Sequence, residues 1–285
     1  MKSYHDLILA IPTESSFASD KILALQLMLT ALLNQVGEDE ISQCMSNFCK
    51  IWKKNINKES DCAEFLMDII SSLEDYLKNT VLEETFERLV YSTGEAGGKE
   101  SFIYLNPSRQ DTKLEQEIHG TFKELASHLF FSNNRVANTG EGEIRKMHFT
   151  TDLNSRVLNK LSALTKHNFS SYKLTAVIVH KFKLNKPHYM VFVKSGSNWI
   201  LHDDEMITKT SQKAVLETCG NSGGVEDQPL TTMLIYTSLE NSSNYHIPLH
   251  LTERYYKLFL HPKREVMLTE NYHWGFLQLF SQISG

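Results

Sequence analysis

Between Tyr172 and Asp204 the chain reads YKLTAVIVHKFKLNKPHYMVFVKSGSNWILHDD, and no other stretch restricts its folding as tightly. Three runs, YKLTAVIVH, HYMVFVK and NWILHDD, are dense in β-branched and aromatic residues, which suit a pleated, half-buried surface. KLNKP and SGS separate the runs and supply turn chemistry. The segment predicts an antiparallel meander with a hairpin tip at Ser195 to Ser197. Such a tip brings His188, which opens one strand, to the same sheet edge as Asp203, which closes the next. An imidazole beside a carboxylate is what a thiol or hydroxyl nucleophile requires: a base within hydrogen-bond reach and a third group that fixes the ring's tautomer.

Ahead of the meander the periodicity is helical. Ile22, Leu25, Met28, Leu29, Leu32, Leu33 and Val36 form one stripe that ends at Gly37, with Asp20 or Ser19 available as a cap. A second helix is predicted over Cys62 to Lys78, where Phe65, Leu66, Ile69, Ile70, Leu73 and Leu77 align and Asp61 with Glu64 has capping-box spacing. After the turn-rich STGEAGGKES, the spacing of Leu114, Ile118, Phe122, Leu125 and Leu129 predicts a third helix, followed by the polar loop SNNRVANTGEGE. A strand over Thr231 to Tyr236 follows a Gly-rich loop at Gly220 to Gly224, and a helical appendix is expected near Thr252 to Leu260. Helices come first and strands second, an α+β order.

Bulk properties narrow the function. With 285 residues and 41% hydrophobic content the chain can bury its own core. A formal charge of -5 offers no basic footprint, so nucleic acid is not expected as a primary partner. The apolar run Leu7 to Ile11 is shorter than a signal-peptide core, and no stretch approaches the roughly 20 apolar residues of a membrane span. The expectation is a soluble intracellular protein of the cytoplasm or nucleus. Cys44, Cys49, Cys62 and Cys219 are irregularly spaced and form no CxxC pair, which argues against disulfides and structural zinc. No metal or cofactor is called for.

The ordered set Tyr172, Leu174, Ala176, Val177, Ile178, His180, His188, Tyr189, Trp199 and Asp203 resembles the histidine end of a ubiquitin-specific protease catalytic domain. There a Y-x-L-x-A-V-I-x-H strand leads into a G-H-Y strand, a Trp strand and an acidic pair; here Pro187 replaces the usual Gly. The resemblance implies an α+β, papain-like cysteine protease fold with helical thumb, antiparallel β palm and reduced fingers. It would span about residues 8–237, helical over about 8–130 and β over about 145–237, with a C-terminal extension at 238–285. It also implies that His188 is the general base, Asp203 the acid that orients it, and Asp204 that acid's neighbour. ESDCAEFLMDIISSLED resembles the family's Q-Q-D-A-H-E-F-L helix start, matching at Asp61, Glu64, Phe65 and Leu66, with Ala63 where His or Gln is usual. No paired CxxC fingers are visible, so Glu83 to His167 reads as a shortened or diverged substitute.

The nucleophile departs from the pattern. Family members carry an N-x-G-N-T-C-Y-x-N-S-x-L-Q box whose Cys sits at a helix N-terminus, where the dipole favours thiolate. Aligning Leu25 and Gln26 of TESSFASDKILALQLML with its L-Q places Ser19 at the Cys position and Glu14 at that of the oxyanion-stabilising Asn. Serine is a poorer nucleophile in a site built for thiolate, and a carboxylate repels a developing oxyanion. The resemblance therefore implies a catalytically impaired relative that binds ubiquitin, a ubiquitin-like protein or a partner chain. Two alternatives stay open. One is an active thiol isopeptidase using Cys44 or Cys49, acting on ubiquitin or a ubiquitin-like modifier such as SUMO. The other is a structural subunit that docks through Tyr245, Tyr255, Tyr256, Tyr272, Trp274 and Phe276.

Overall fold

The structure, a computed structural model, describes residues 7–8, 11, 20–34, 38–53, 61–107, 111–119, 121–133, 146–161, 171–183, 186–203, 206–219 and 229–239. The chain divides into two compact units, one within Met1–Glu87 and the other Arg88–Asn241.

In the first unit, α1 (Asp20–Asn34) opens on Asp20, whose carboxylate suits the positive end of the helix dipole. It buries Ile22, Leu25, Met28 and Leu29, the stripe read from the sequence. Helix α2 (Glu38–Ile51) buries Phe48 and Cys49. Helix α3 (Cys62–Leu77) starts where the sequence predicts, because the Asp61 carboxylate accepts the amides of Ala63 and Glu64 at 2.8 and 3.0 Å. Its buried face is Cys62, Phe65, Leu66, Ile69, Ile70, Leu73 and Leu77. Phe48 stacks on Trp52 at 5.4 Å between centroids, and Phe65 meets both rings edge-on, which locks α2 to α3. Helix α4 (Glu83–Val90) runs across the boundary between the units.

The second unit begins with strands β1 (Ser92–Gly94), β2 (Lys99–Glu100), β3 (Phe102–Leu105) and β4 (Asp111–Lys113). A single helical turn, α5 (Leu114–Glu117), precedes β5 (Phe122–Glu124), β6 (His128–Asn133), β7 (Lys146–His148) and β8 (Asp152–Leu153). Helix α6 (Ser155–Leu161) then leads to β9 (Tyr172–Lys183), β10 (Lys186–Ser195), β11 (Asn198–Asp203) and β12 (Met206–Thr210). Helix α7 (Gln212–Glu217) and β13 (Leu230–Ser238) complete it.

Eight strands form the main sheet, in the order β12-β11-β10-β9-β13-β6-β3, with β8 paired to β9 off this path. Every pairing in it is antiparallel except β3 with β6. Strands β1, β2 and β5 make a small separate sheet, and β4 pairs in parallel with β7. The meander is as predicted, and its tip closes at Gly196, whose φ of +53° is one a glycine takes without steric cost. One sheet face carries Val177, Val179, Met190, Phe192, Trp199 and Leu234 into a core shared with Met147, Leu158 and Val215. Two buried tyrosines fasten this core: Tyr172 donates to the Ala126 carbonyl at 2.7 Å and Tyr236 to that of Thr150 at 2.5 Å. Burial holds the Tyr236 hydroxyl above the usual phenol range.

The helix expected over Leu114 to Leu129 is a correction. Only the turn Leu114–Glu117 is helical, Phe122–Glu124 pairs with β1, and His128–Asn133 lies between β13 and β3. His128, Leu129, Phe130 and Phe131 form a continuous run buried on both faces, a pattern that serves an interior strand better than an amphipathic helix. The helical part accordingly does not extend to residue 130, since strands begin at Ser92. Strands β1 to β4, β7, β8 and β12 and helices α4, α6 and α7 have no counterpart among the elements expected from sequence. The appendix near Thr252 to Leu260 and the C-terminal aromatic set lie outside the described residues.

Candidate active site

Strand register decides what His188 meets. In the β10–β11 ladder Val191 faces His202 and Phe192 faces Leu201, so the next rung outward would set Met190 against Asp203. His188 is two residues further along β10 and shares a face with Met190, which makes it the diagonal neighbour of Asp203. Diagonal neighbours are within reach of long side chains, and Nε2 of His188 lies 2.5 Å from Oδ1 of Asp203. Both side chains are partly shielded, with 18% and 24% of their surface exposed.

The contact assigns proton positions. A carboxylate only accepts, so Nε2 carries the hydrogen and donates it to Asp203, which puts the acceptor lone pair of the neutral ring on Nδ1. An imidazole held this way can take a proton at Nδ1 from a nucleophile and return it to a leaving group, while Asp203 stabilises the imidazolium formed in between. On the opposite face Tyr189, the residue after His188, stacks on His180 at 4.7 Å between centroids, across the β9–β10 ladder. The structure thus brings together two residues predicted from sequence, His188 and Asp203. Asp204, Ser19 and Glu14 lie outside the described residues.

In the first unit, Gln26 has a structural role that its place in the sequence pattern does not reveal. Its side chain is 1% exposed, and its amide nitrogen donates to the carbonyls of both Ile8 at 2.8 Å and Ile11 at 2.9 Å. One buried amide thereby ties the start of the chain to α1. The four cysteines are not in disulfides. Cys49 and Cys62 are buried, and burial pushes the Cys49 thiol above its ordinary pKa. Among the described residues no group of three or more His, Cys, Asp or Glu could hold a metal ion.

Residues 3–236 match the family model "Ubiquitin carboxyl-terminal hydrolase", and the chain belongs to that family. Its α+β fold, helices followed by a largely antiparallel sheet, is of the papain-like type of the ubiquitin-specific proteases. The chain is 30% identical over 121 residues to Ubiquitin carboxyl-terminal hydrolase 8 of Saccharomyces cerevisiae, an alignment covering 39% of this chain and 25% of that protein. It is 22% identical over 263 residues to Ubiquitin carboxyl-terminal hydrolase 7 of Drosophila melanogaster, covering 76% of this chain and 23% of that one. The chain thus spans about a quarter of the length of these curated relatives. No helix among the described residues is long and apolar enough to cross a membrane.

Proposed function

We propose that this chain is a ubiquitin hydrolase-type domain that keeps the base and its orienting acid, His188 and Asp203, but carries Ser19 where the thiol belongs, and works by binding ubiquitin or a ubiquitin-like protein. The observation that carries the reading is the 2.5 Å contact of Nε2 with Asp203, which prepares Nδ1 to serve a nucleophile. In sequence, the stretch aligned with the family's nucleophile box reads Glu14 and Ser19 in place of Asn and Cys. A serine hydroxyl is a far weaker acid than a thiol, so an imidazole that suffices to ionise cysteine does not ionise serine to a useful extent. Glu14 in place of a donor removes the hydrogen bond that the tetrahedral oxyanion needs. Burial of Cys49 in the helical core further supports the reading, because it pushes that thiol above its ordinary pKa and so disfavours a thiolate there.

The experiment is to incubate the purified chain with ubiquitin bearing a C-terminal electrophile and, separately, to titrate unmodified ubiquitin while following backbone amide signals. Binding without covalent adduct is the expected result. A stoichiometric adduct mapped to Cys44 or Cys49 overturns it in favour of an active isopeptidase. Absence of any shift with ubiquitin and with SUMO assigns the domain a structural role.

A further inference from the structure

A second imidazole in the sheet-containing unit sits between a thiol and a carboxylate. Nδ1 of His148 lies 3.9 Å from Sγ of Cys219, and Nε2 of His148 lies 2.9 Å from Oδ1 of Asp111. The three residues come from distant parts of the chain, yet backbone bonds fix their places. The Met147 amide donates to the Cys219 carbonyl at 3.1 Å, and β4 runs beside β7. On the other side the Thr231 amide donates to the Thr218 carbonyl at 3.1 Å, and the two hydroxyls meet at 2.7 Å. Cys219 is 7% exposed, but it lines an open groove of about 840 Å³ together with Lys146, Gln212, Lys213 and Leu216.

From this arrangement we infer that Cys219 is a thiol-modification site, activated by His148, that exchanges with small carboxylate-bearing disulfides. The proposal is independent of what occupies position 19 or whether ubiquitin binds. Asp111 accepts the Nε2 hydrogen of His148 and so places the ring's lone pair on Nδ1, which takes the proton of the Cys219 thiol. The resulting thiolate attacks one sulfur of the disulfide. A Cys219–sulfur bond forms, the disulfide's own S–S bond breaks, and the departing thiolate is protonated by the imidazolium or by water. Cys219 is oxidised and half of the incoming disulfide is reduced, so no further oxidant enters. The carbonyl end of α7 precedes Cys219 and disfavours a thiolate, which leaves the imidazole as the group that generates it. The Lys146 ammonium at the groove suits a carboxylate on the reagent, whereas that of Lys213 lies 3.7 Å from the Glu217 carboxylate, which lines the same groove.

The test uses the full chain with oxidised glutathione at neutral pH, with modification of each cysteine followed by mass spectrometry. Cys219 is expected to be thiolated faster than the half-buried Cys44, and Lys146→Glu to slow the reaction with oxidised glutathione but not with neutral 2-hydroxyethyl disulfide. His148→Gly is expected to lower the Cys219 rate by at least about threefold, since thiolate gained outweighs nucleophilicity lost. Added imidazole should restore that rate, which a merely structural role would not permit. A circular-dichroism check on His148→Gly, backed by His148→Gln, separates loss of the base from loss of fold. If Cys219 reacts no faster than Cys44, or if folded His148 variants keep the parent rate, the proposal is overturned.

Discussion

His188 and Asp203 touch across a diagonal of the β10–β11 ladder, one rung beyond the last hydrogen-bonded pair that joins those strands. The contact therefore depends on register. Shifting either strand by one residue would turn one of the two side chains to the other face of the sheet.

A direct consequence concerns the tautomer. Nitrogen chemical shifts of the His188 ring should report the hydrogen on Nε2 in the parent chain at neutral pH, held there by Asp203. In Asp203→Ala the ring should become a mixture of tautomers, with the main sheet unchanged. An unaltered Nε2–H population in that variant would show that another group orients the ring.

If position 19 is where the missing thiol belongs, chemistry should be recoverable. Ser19→Cys is expected to give a slow covalent adduct with ubiquitin carrying a C-terminal electrophile. Adding Glu14→Asn should accelerate it by about 100-fold, the order of magnitude of one oxyanion donor. His188→Ala in that double variant should abolish the gain. Failure of the double variant to react, although folded, would remove the assignment of Ser19 to the nucleophile position.

Gln26 is buried and donates to two carbonyls, so its loss takes a donor from Ile11 and leaves the Ile8 carbonyl with the longer bond from the Ile11 amide at 3.3 Å. Gln26→Ala should destabilise the first unit by about 1–3 kcal/mol, read as a lower urea midpoint. Helical signals of α1 should be lost first, with amide exchange accelerated at the start of that helix.

His202 is 1% exposed between Val191 and Ile207, and burial lowers its pKa from 6.5 to about 4. The folded chain holds this ring neutral, whereas the unfolded chain takes up a proton once pH falls below about 6.5. Its contribution is therefore complete above pH 6.5 and is lost as pH falls towards 4, by about 3 kcal/mol over the whole window. Unfolding measured at pH 7, 6, 5 and 4 should show a steeper loss for the parent chain than for His202→Gln. Parallel profiles for the two would assign the acid sensitivity to other groups.

Structure that rests on near neighbours is legible along the chain. The stripe of α1, the Asp61 cap of α3 and the β10–β11 hairpin all follow from contacts between residues close in the chain, and a short turn at Gly196 is enough to align His188 with Asp203. Tertiary structure decided the segment from Leu114 to Asn133, whose apolar spacing suits a helix until β13, about a hundred residues later, offers β6 a backbone to pair with. It also decided the meeting of Asp111, His148 and Cys219, because no local periodicity encodes a contact made only when β4, β7 and the end of α7 pack together. The physical reason is common to both cases. Backbone hydrogen bonds and burial reward partners brought close in space, and sequence patterns register such partners only when the chain between them is short.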